Sequence, residues 1–464
     1  MTARRVRRVL AAGLALGVAL GLAACDTESG PDVGPSPAPT TAAVEKSRLT
    51  FGVWGSEAEV ASYQEMVDAY NATSELTQVK VLAYPDNTAL EAAVRAGGRK
   101  APDVFLADRD DLVWLRDEDL NVPVDEMLDE RGVEFGDQYS RAALEAFSDD
   151  RRLQCMPYSI SPMVIFYNTR LVNFERMAAR GLNVPSSAEN ARWSFDQFEE
   201  AARFAARRPR NKGVHVDPTA HSLAPFLYSG GGKLFDDEEE PTSFAFSDES
   251  SREALTRTLE VLRDPTVTLS DQQLARRTPL EWFERGRLGM IEGYRSMVPE
   301  LREVEGLDFD VMPMPTLDSP ATIGEITGAC IGNGGDNVPA AADFLVYALS
   351  TDAVRTVARS GYIVPVNQAV ALTDDFLQPD RQPEHAAVFT SSVGDLQVLP
   401  RLDVWPALDQ SVAPLLDEMF TVPVLDDLDD LTSRIDEASR TVLDPEEPEE
   451  SDGTESPADP ESTD

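Results

Sequence analysis

The sequence predicts an α/β protein with two folded domains behind a short N-terminal leader. Three observations carry this expectation. Between residues 48 and 106, strand-like apolar runs alternate with segments whose apolar residues recur at helical spacing. That alternation is the pattern of a mostly parallel sheet covered on both faces. The chain has 464 residues, 42% of them hydrophobic, which is enough apolar material for two ordinary cores. After residue 25 no second long apolar run occurs, so nothing in the folded part is expected to cross a membrane.

The leader begins with Arg4, Arg5, Arg7 and Arg8 and continues as an apolar run from Val9 to Leu22. A basic start, an apolar segment and small residues at its end make a secretory signal, and the run is too short to span a bilayer as a mature helix. Leu22-Ala23-Ala24-Cys25 resembles a bacterial lipobox. The resemblance implies cleavage before Cys25, loss of residues 1–24 as the signal peptide, and a lipid on the cysteine that holds the protein at the extracytoplasmic face of the cell membrane. A plain signal with a chance cysteine is the alternative, but Cys25 is one of only three cysteines. Residues 25–47 carry Pro31, Pro35, Pro37 and Pro39 among small residues and read as a flexible, lipid-anchored tether. Residues 444–464 read as a disordered acidic tail.

The formal net charge of −41 excludes a nucleic-acid partner, since phosphate binding needs a basic patch. Three histidines and no C-x-x-C leave no metal site or cofactor to expect. No G-x-S-x-G, H-E-x-x-H or phosphate-binding loop occurs. Carboxylates abound, yet none stands out as a catalytic pair, so no enzyme is predicted.

Taken in order, 48–54 (RLTFGVW) reads as the first strand and Gly55-Ser56 as a turn. Ser56 with Glu59 resembles a capping box, and Val60, Tyr63, Met66, Val67 and Tyr70 follow at helical spacing. Residues 79–83 read as a strand, 87–96 as a helix stopped by Gly97-Gly98, and 101–106 as a third strand. Residues 152–167 form a long extended run interrupted by Pro157 and Pro162, which is awkward for a central strand and fits a crossover between lobes. Further on, helices are expected over 193–206 with Ser194 as cap, 250–262, 280–286, 339–358 and finally 403–420. Strands are expected over 288–292, over 308–314 as a second crossover, and from Ala329 to Gly332.

Seven stretches then carry a family resemblance. They are FGVWGS at 51–56, APDVFLAD at 101–108, MPYSISPMVIFYNTRLV at 156–172, WSFDQFEEAARF at 193–204, FERGRLGMIEGYRSMVPEL at 283–301, VMPMP at 311–315 and SGYIVPVNQAV at 360–370. In this order they resemble the sugar-binding extracellular receptors of ABC importers, the family that includes maltose-binding protein. The resemblance implies a two-lobed periplasmic-binding-protein-like α/β fold of type II, with the ligand cleft between lobes that close by hinge motion. Lobe one would comprise 48–165 and 310–350, and lobe two 166–309 and 351–440. The implied function is a monomeric receptor that binds a sugar or oligosaccharide and delivers it to a membrane permease. A polyamine or other small solute, presentation to a sensor, and a secreted carbohydrate-active enzyme are the alternatives. Cys155 and Cys330, both assigned to lobe one, would form a disulfide in an oxidising compartment.

Sugar recognition needs flat apolar faces for the ring and planar polar groups for its hydroxyls. By position against the family, the candidates are Trp54, Ser56 and Glu57 at the first turn, then Asp108 and Arg109 after the third strand. Tyr158, Ser159 and Ser161 lie on the crossover, and His221, Tyr294, Arg295, Tyr362 and Trp405 lie further on. Trp54 and Tyr158 equally fit a core, Glu57 a helix N-terminus, and His221 a structural role. Tyr294 and Trp405 are the expected stacking faces. Arg109 and Arg295 would disfavour a polycation. Two departures stand out. Gly-Tyr-Arg-Ser at 293–296 replaces the Gly-Pro-Trp of many relatives, and Ser159 and Ser161 stand where relatives often place a carboxylate.

Overall fold

The structure, a computed structural model, describes residues 46–445 apart from 137, 187–191, 336 and 423–426 and the side chain of residue 99. The signal segment, Cys25, most of the tether and the tail from 446 lie outside the described residues.

Strand β1 (Ser47–Trp54) buries Leu49, Phe51 and Val53 at alternate positions, as a strand does when one face meets a core. The Ser56 hydroxyl accepts from the Glu59 N–H at 3.2 Å and starts α1 (Glu57–Thr73). Helix α1 buries Tyr63, Met66, Val67 and Tyr70. Strand β2 (Thr77–Tyr84) runs parallel to β1, and α2 (Asn87–Ala96) ends at Gly97, whose φ of 63° favours glycine. Strand β3 (Val104–Asp108) pairs in parallel with the other edge of β1. After β4 (Asn121–Val122) come β5 (Met156–Pro162) and, one residue later, β6 (Val164–Asn168).

The chain continues through α3 (Phe195–Ala205), β7 (Lys212–His215), α4 (Ala220–Ser229) and α5 (Glu249–Leu262) to β8 (Leu288–Gly293) and β9 (Phe309–Pro313). It then forms β10 (Gly324–Gly332), α6 (Val338–Ala348), α7 (Thr351–Ala358), α8 (Trp405–Thr421) and α9 (Leu428–Leu443). One sheet has the order β2-β1-β3-β10-β4, with β5 also on β10; the other has the order β9-β6-β8-β7. These are the two lobes.

The crossover predicted over 152–167 is β5 passing from the first sheet into β6 of the second. Ser159 faces Thr327 and Pro157 faces Gly328, so Tyr158 is the extra residue of a bulge at the proline that cannot donate. At Met163 three segments meet. The Met163 N–H donates to the Ile323 carbonyl at 2.8 Å, and the Thr322 hydroxyl donates to the Met163 carbonyl at 2.7 Å. The Thr322 N–H reaches the Asp395 carbonyl at 3.0 Å, and the Gln397 N–H reaches the Thr322 carbonyl at 2.7 Å.

The second sheet is buried on both faces. Ile165, Tyr167, Met290 and Met312 join the core under α3, α4 and α8. Phe166, Ile291 and Val311 join a core continuous with that of the first lobe. This moves the expected boundaries. Residue 310 lies inside β9, which pairs with β6 in the second sheet, so the return crossing is 314–323. Helix α7 packs directly against α1 and buries Val354 and Val357, so residues 351–358 lie on the first lobe, whereas α8 and α9 pack in the second core. The helix expected over 339–358 is two helices, broken at Ser350, which caps α7. The helix over 403–420 is not the last, because α9 follows and buries Leu431 and Ile435.

Cys155 and Cys330 are joined, with Cα atoms 4.4 Å apart and 175 residues between them in sequence. The bond sits beside the Met156–Ala329 pair of β5 and β10 and closes the loop of chain that builds the second sheet. Closing a loop of that length restricts the unfolded chain by about 5 kcal/mol on the entropy account. The double variant Cys155→Ser, Cys330→Ser is expected to lose about 2–5 kcal/mol in guanidinium unfolding. A loss too small to measure would mean that the β5–β10 ladder holds the lobes without the bond.

Candidate functional site

A cleft of about 500 Å³ opens between the sheets. Its first wall is set by strand ends: Trp54 closes β1, Asp108 closes β3, and Arg109 and Asp110 follow. Ligand sites of open α/β sheets lie at such carboxyl ends. Gly55, with φ 128°, turns the chain so that the Glu59 carboxylate lies over the turn and accepts from the Ser56 N–H; a Cβ there would collide with that carboxylate. The floor is Ser159 and Ser161 of β5 with Glu325 and Thr327 of β10. The second wall brings His221 from the first turn of α4, with Tyr294 and Ser296 after β8. Tyr362, Val398 and Leu399 complete the rim.

The electrostatics are dominated by carboxylates. Asp108 is pushed up to about 8 by burial, then by Asp111 and Glu325, while the Thr327 hydroxyl, 3.3 Å away, acts the other way. Glu59 is raised to about 7 by burial and by Glu325, against the Ser56 N–H. Glu325 is exposed to the cleft, and partial desolvation within it raises the carboxyl to about 7. Asp110 rises to about 6 by burial, restrained by Arg109 at 3.3 Å. Burial lowers Arg109 to about 10. Burial also lowers His221, against the pull of Asp409.

Of the residues singled out in the sequence, Trp54, Asp108, Arg109, Ser159, Ser161, His221, Tyr294 and Tyr362 line the cleft. Five do not. Ser56 is spent on the helix cap, and Glu57 points to solvent from the first turn of α1. Successive strand residues face opposite ways; with Ser159 and Ser161 toward the cleft, Tyr158 is buried against Tyr63, ring centroids 6.1 Å apart. Arg295 is fully buried, next to cleft-facing Tyr294 but directed away from the cleft. It donates to the carbonyls of Gly361 at 3.0 Å and Phe376 at 3.1 Å, between the rings of Phe376 and Phe389. Trp405 packs in the second core, 5.6 Å from Phe235 and 4.3 Å from His221, so the histidine stands where a stacking tryptophan was expected.

Sequence reasoning missed Glu59, Asp110, Glu325 and Thr327. Glu59 was legible only as a helix cap. Glu325 and Thr327 lie in the half of β10 that precedes Ala329, where the strand was expected to begin.

Residues 65–385, more than half of the chain, match the family of bacterial extracellular solute-binding proteins. This chain belongs to that family. No curated relative matches in sequence. Among solved structures, the binding protein is similar to an ABC substrate-binding protein of Listeria monocytogenes in complex with cycloalternan, at 17% identity and TM-score 0.70, over 86% of this chain and 99% of that one. It is similar to a cyclic α-maltosyl-1,6-maltose binding protein of Arthrobacter globiformis at 19% identity and TM-score 0.68, over 86% and 99%. A maltose-binding protein of Listeria monocytogenes in complex with maltose matches at 17% identity and TM-score 0.65, over 84% and 97%. At these identities the likeness is one of fold. The family is one of solute receptors, and among the described residues no helix is long and apolar enough to cross a membrane.

The raised carboxylates predict a pH-dependent stability of the empty binding protein. A carboxyl whose folded pKa lies above its unfolded value favours the folded state at low pH, and this contribution is lost as pH rises through the folded value. Glu325→Gln is therefore expected to melt together with wild type at about pH 4 and below, and above it near about pH 8. A melting difference that does not change with pH would show that Glu325 is not held protonated.

Proposed function

We propose that the binding protein is a monomeric, lipid-anchored receptor that captures a sugar or oligosaccharide between its lobes and delivers it to a membrane ABC permease. The observation that carries this reading is the cleft itself. Its walls alternate the ring faces of Trp54, Tyr294 and Tyr362 with the polar groups of Asp108, Arg109, Ser159 and Ser161. Ring faces stack on sugar C–H surfaces, and planar polar groups pair with hydroxyls. The similar structures bound to cycloalternan and to maltose support the same solute class. Closure would turn on the three segments that meet at Met163, Thr322 and Gln397. No reaction is assigned to this chain.

A carbohydrate panel screened by thermal shift tests the solute class, because a ligand of the folded state raises the melting temperature. Tyr294→Ala is expected to weaken the best sugar about tenfold, the loss of roughly 1.4 kcal/mol of stacking, with the fold intact by circular dichroism. Unchanged affinity removes Tyr294 from the site. Lipid anchoring rests on Cys25, so Cys25→Ser is expected to release the protein into the medium or leave it unprocessed. Normal processing and full membrane retention of that variant would refute the anchor.

A further inference from the structure

We propose that the pole of the second lobe remote from the cleft is a docking surface for an anionic membrane, with arginines set against lipid phosphates. The proposal rests on the reading of the chain as a membrane-anchored receptor. It is tested on unlipidated chain, so the docking surface and the lipid anchor can fail separately.

Strands β7 and β8 run parallel, with Lys212 beside Leu288, and both begin at this pole. Strand β8 ends at Gly293, and Tyr294 after it lines the cleft, so the start of these strands is the far end of the sheet. Arg207, Arg208 and Arg210 follow α3, and Arg285 and Arg287 precede β8; all are exposed. Backbone contacts join the two turns. The Lys212 N–H donates to the Arg287 carbonyl at 2.8 Å, the Asn211 N–H donates to the Arg208 carbonyl at 2.9 Å, and the Arg287 guanidinium donates to Asn211 Oδ1 at 3.4 Å. The Arg207 guanidinium lies 4.5 Å from the centre of the Phe204 ring, and that of Arg180, also exposed, lies 5.3 Å from the same ring. Stacking on a ring holds a guanidinium in place without neutralising it.

The pole is set apart by its lack of acid partners. The formal net charge is −41, and arginines elsewhere lie against carboxylates, as Arg152 does with Asp125, Arg257 with Asp318 and Arg434 with Glu418. None of the arginines at this pole forms an ion pair among the described residues. Acids of the flanking segments are engaged elsewhere: Asp264 and Glu199 pair with Arg203 at 2.6 and 2.8 Å, and Glu281 accepts from the Thr278 N–H at 2.9 Å. Glu284, beside Arg285 in sequence, offsets one of the charges. Like charges gathered without a counter-charge repel, and an anionic partner relieves that repulsion.

The form of the surface selects the anion. These arginines line none of the larger cavities, so no small anion is enclosed. Leu76, Leu372 and Val398, the large apolar side chains that stand exposed, belong to other segments, so the pole lacks the apolar centre of a protein interface. A broad array of phosphates fits both facts. Guanidinium forks pair with phosphate oxygens, and each cation close to an anionic lipid surface adds attraction. The acidic remainder of the chain is repelled by the same surface, which turns the cleft away from the membrane and leaves it open to solute.

The test is vesicle co-sedimentation of the mature chain, kept unlipidated by Cys25→Ser. Vesicles of phosphatidylglycerol mixed with phosphatidylcholine are expected to retain it at least about tenfold more strongly than phosphatidylcholine alone at about 0.05 M salt, and the difference is expected to vanish near about 0.5 M. The triple variant Arg207→Glu, Arg208→Glu, Arg210→Glu is expected to lose this preference. The triple variant Arg48→Glu, Arg141→Glu, Arg359→Glu, exposed on the first lobe and equal in charge, is expected to keep it. Circular dichroism checks the fold of both, and Arg285→Glu, Arg287→Glu replaces the first should it misfold. Equal retention by the two kinds of vesicle, or equal loss in the two triple variants, overturns the proposal. Binding of soluble polyphosphate without retention by anionic vesicles also overturns it and assigns the pole to a soluble polyanion.

Discussion

The pairing of β5 with β10, tied at its base by Cys155–Cys330, is the constraint on which the rest of the molecule depends. Between those two cysteines lies the chain that builds the second sheet, and each strand leads into the other lobe through a few residues near Met163 and Thr322. The ladder fixes where the excursion begins and ends. The short link beyond it sets how the two sheets face each other. Ser159, Ser161, Glu325 and Thr327 sit on this ladder, so the floor of the cleft is also the joint of the fold.

A second constraint is electrostatic. The cleft holds carboxylates that the fold does not neutralise, at strand ends where backbone groups offer only partial compensation. Glu59 has its helix N-terminus, a favourable place for negative charge, and Asp108 has Thr327. Glu325 has neither among the described hydrogen bonds and ion pairs. These side chains sit on rigid strands and at their ends, which hold them in place as a binding site requires.

Arg295 shows how the same chemistry serves a different end one residue away. Its guanidinium is planar and weakly hydrated, so it can lie between two phenylalanine rings and donate to carbonyls in a dry core. It ties the turn after β8 to Gly361 and Phe376, and through them to the segment that carries Tyr362. Tyr294 is thereby held at the cleft wall from behind, by a residue that never reaches the ligand.

Local structure was largely legible. The Ser56–Glu59 cap, the stop at Gly97, the Ser194 cap and the proline-marked crossover all arise from interactions within a few residues, so spacing alone determined them. The family motifs determined the lobed architecture for the same reason, since each is a contiguous run. What spacing cannot encode is the direction of a side chain relative to a partner far away in sequence. Tyr158 and Ser159, or Tyr294 and Arg295, are neighbours sent to opposite faces by pleat and turn. Trp405 was expected at the cleft, but the packing of α8 against Phe235 and His221 drew it into the core. Glu325 entered the site only because β10 pairs antiparallel with β5 and so runs back along the floor. The sequence by itself determined the elements and their order; the tertiary structure decided the chemistry of the cleft, because that depends on which distant strands lie side by side.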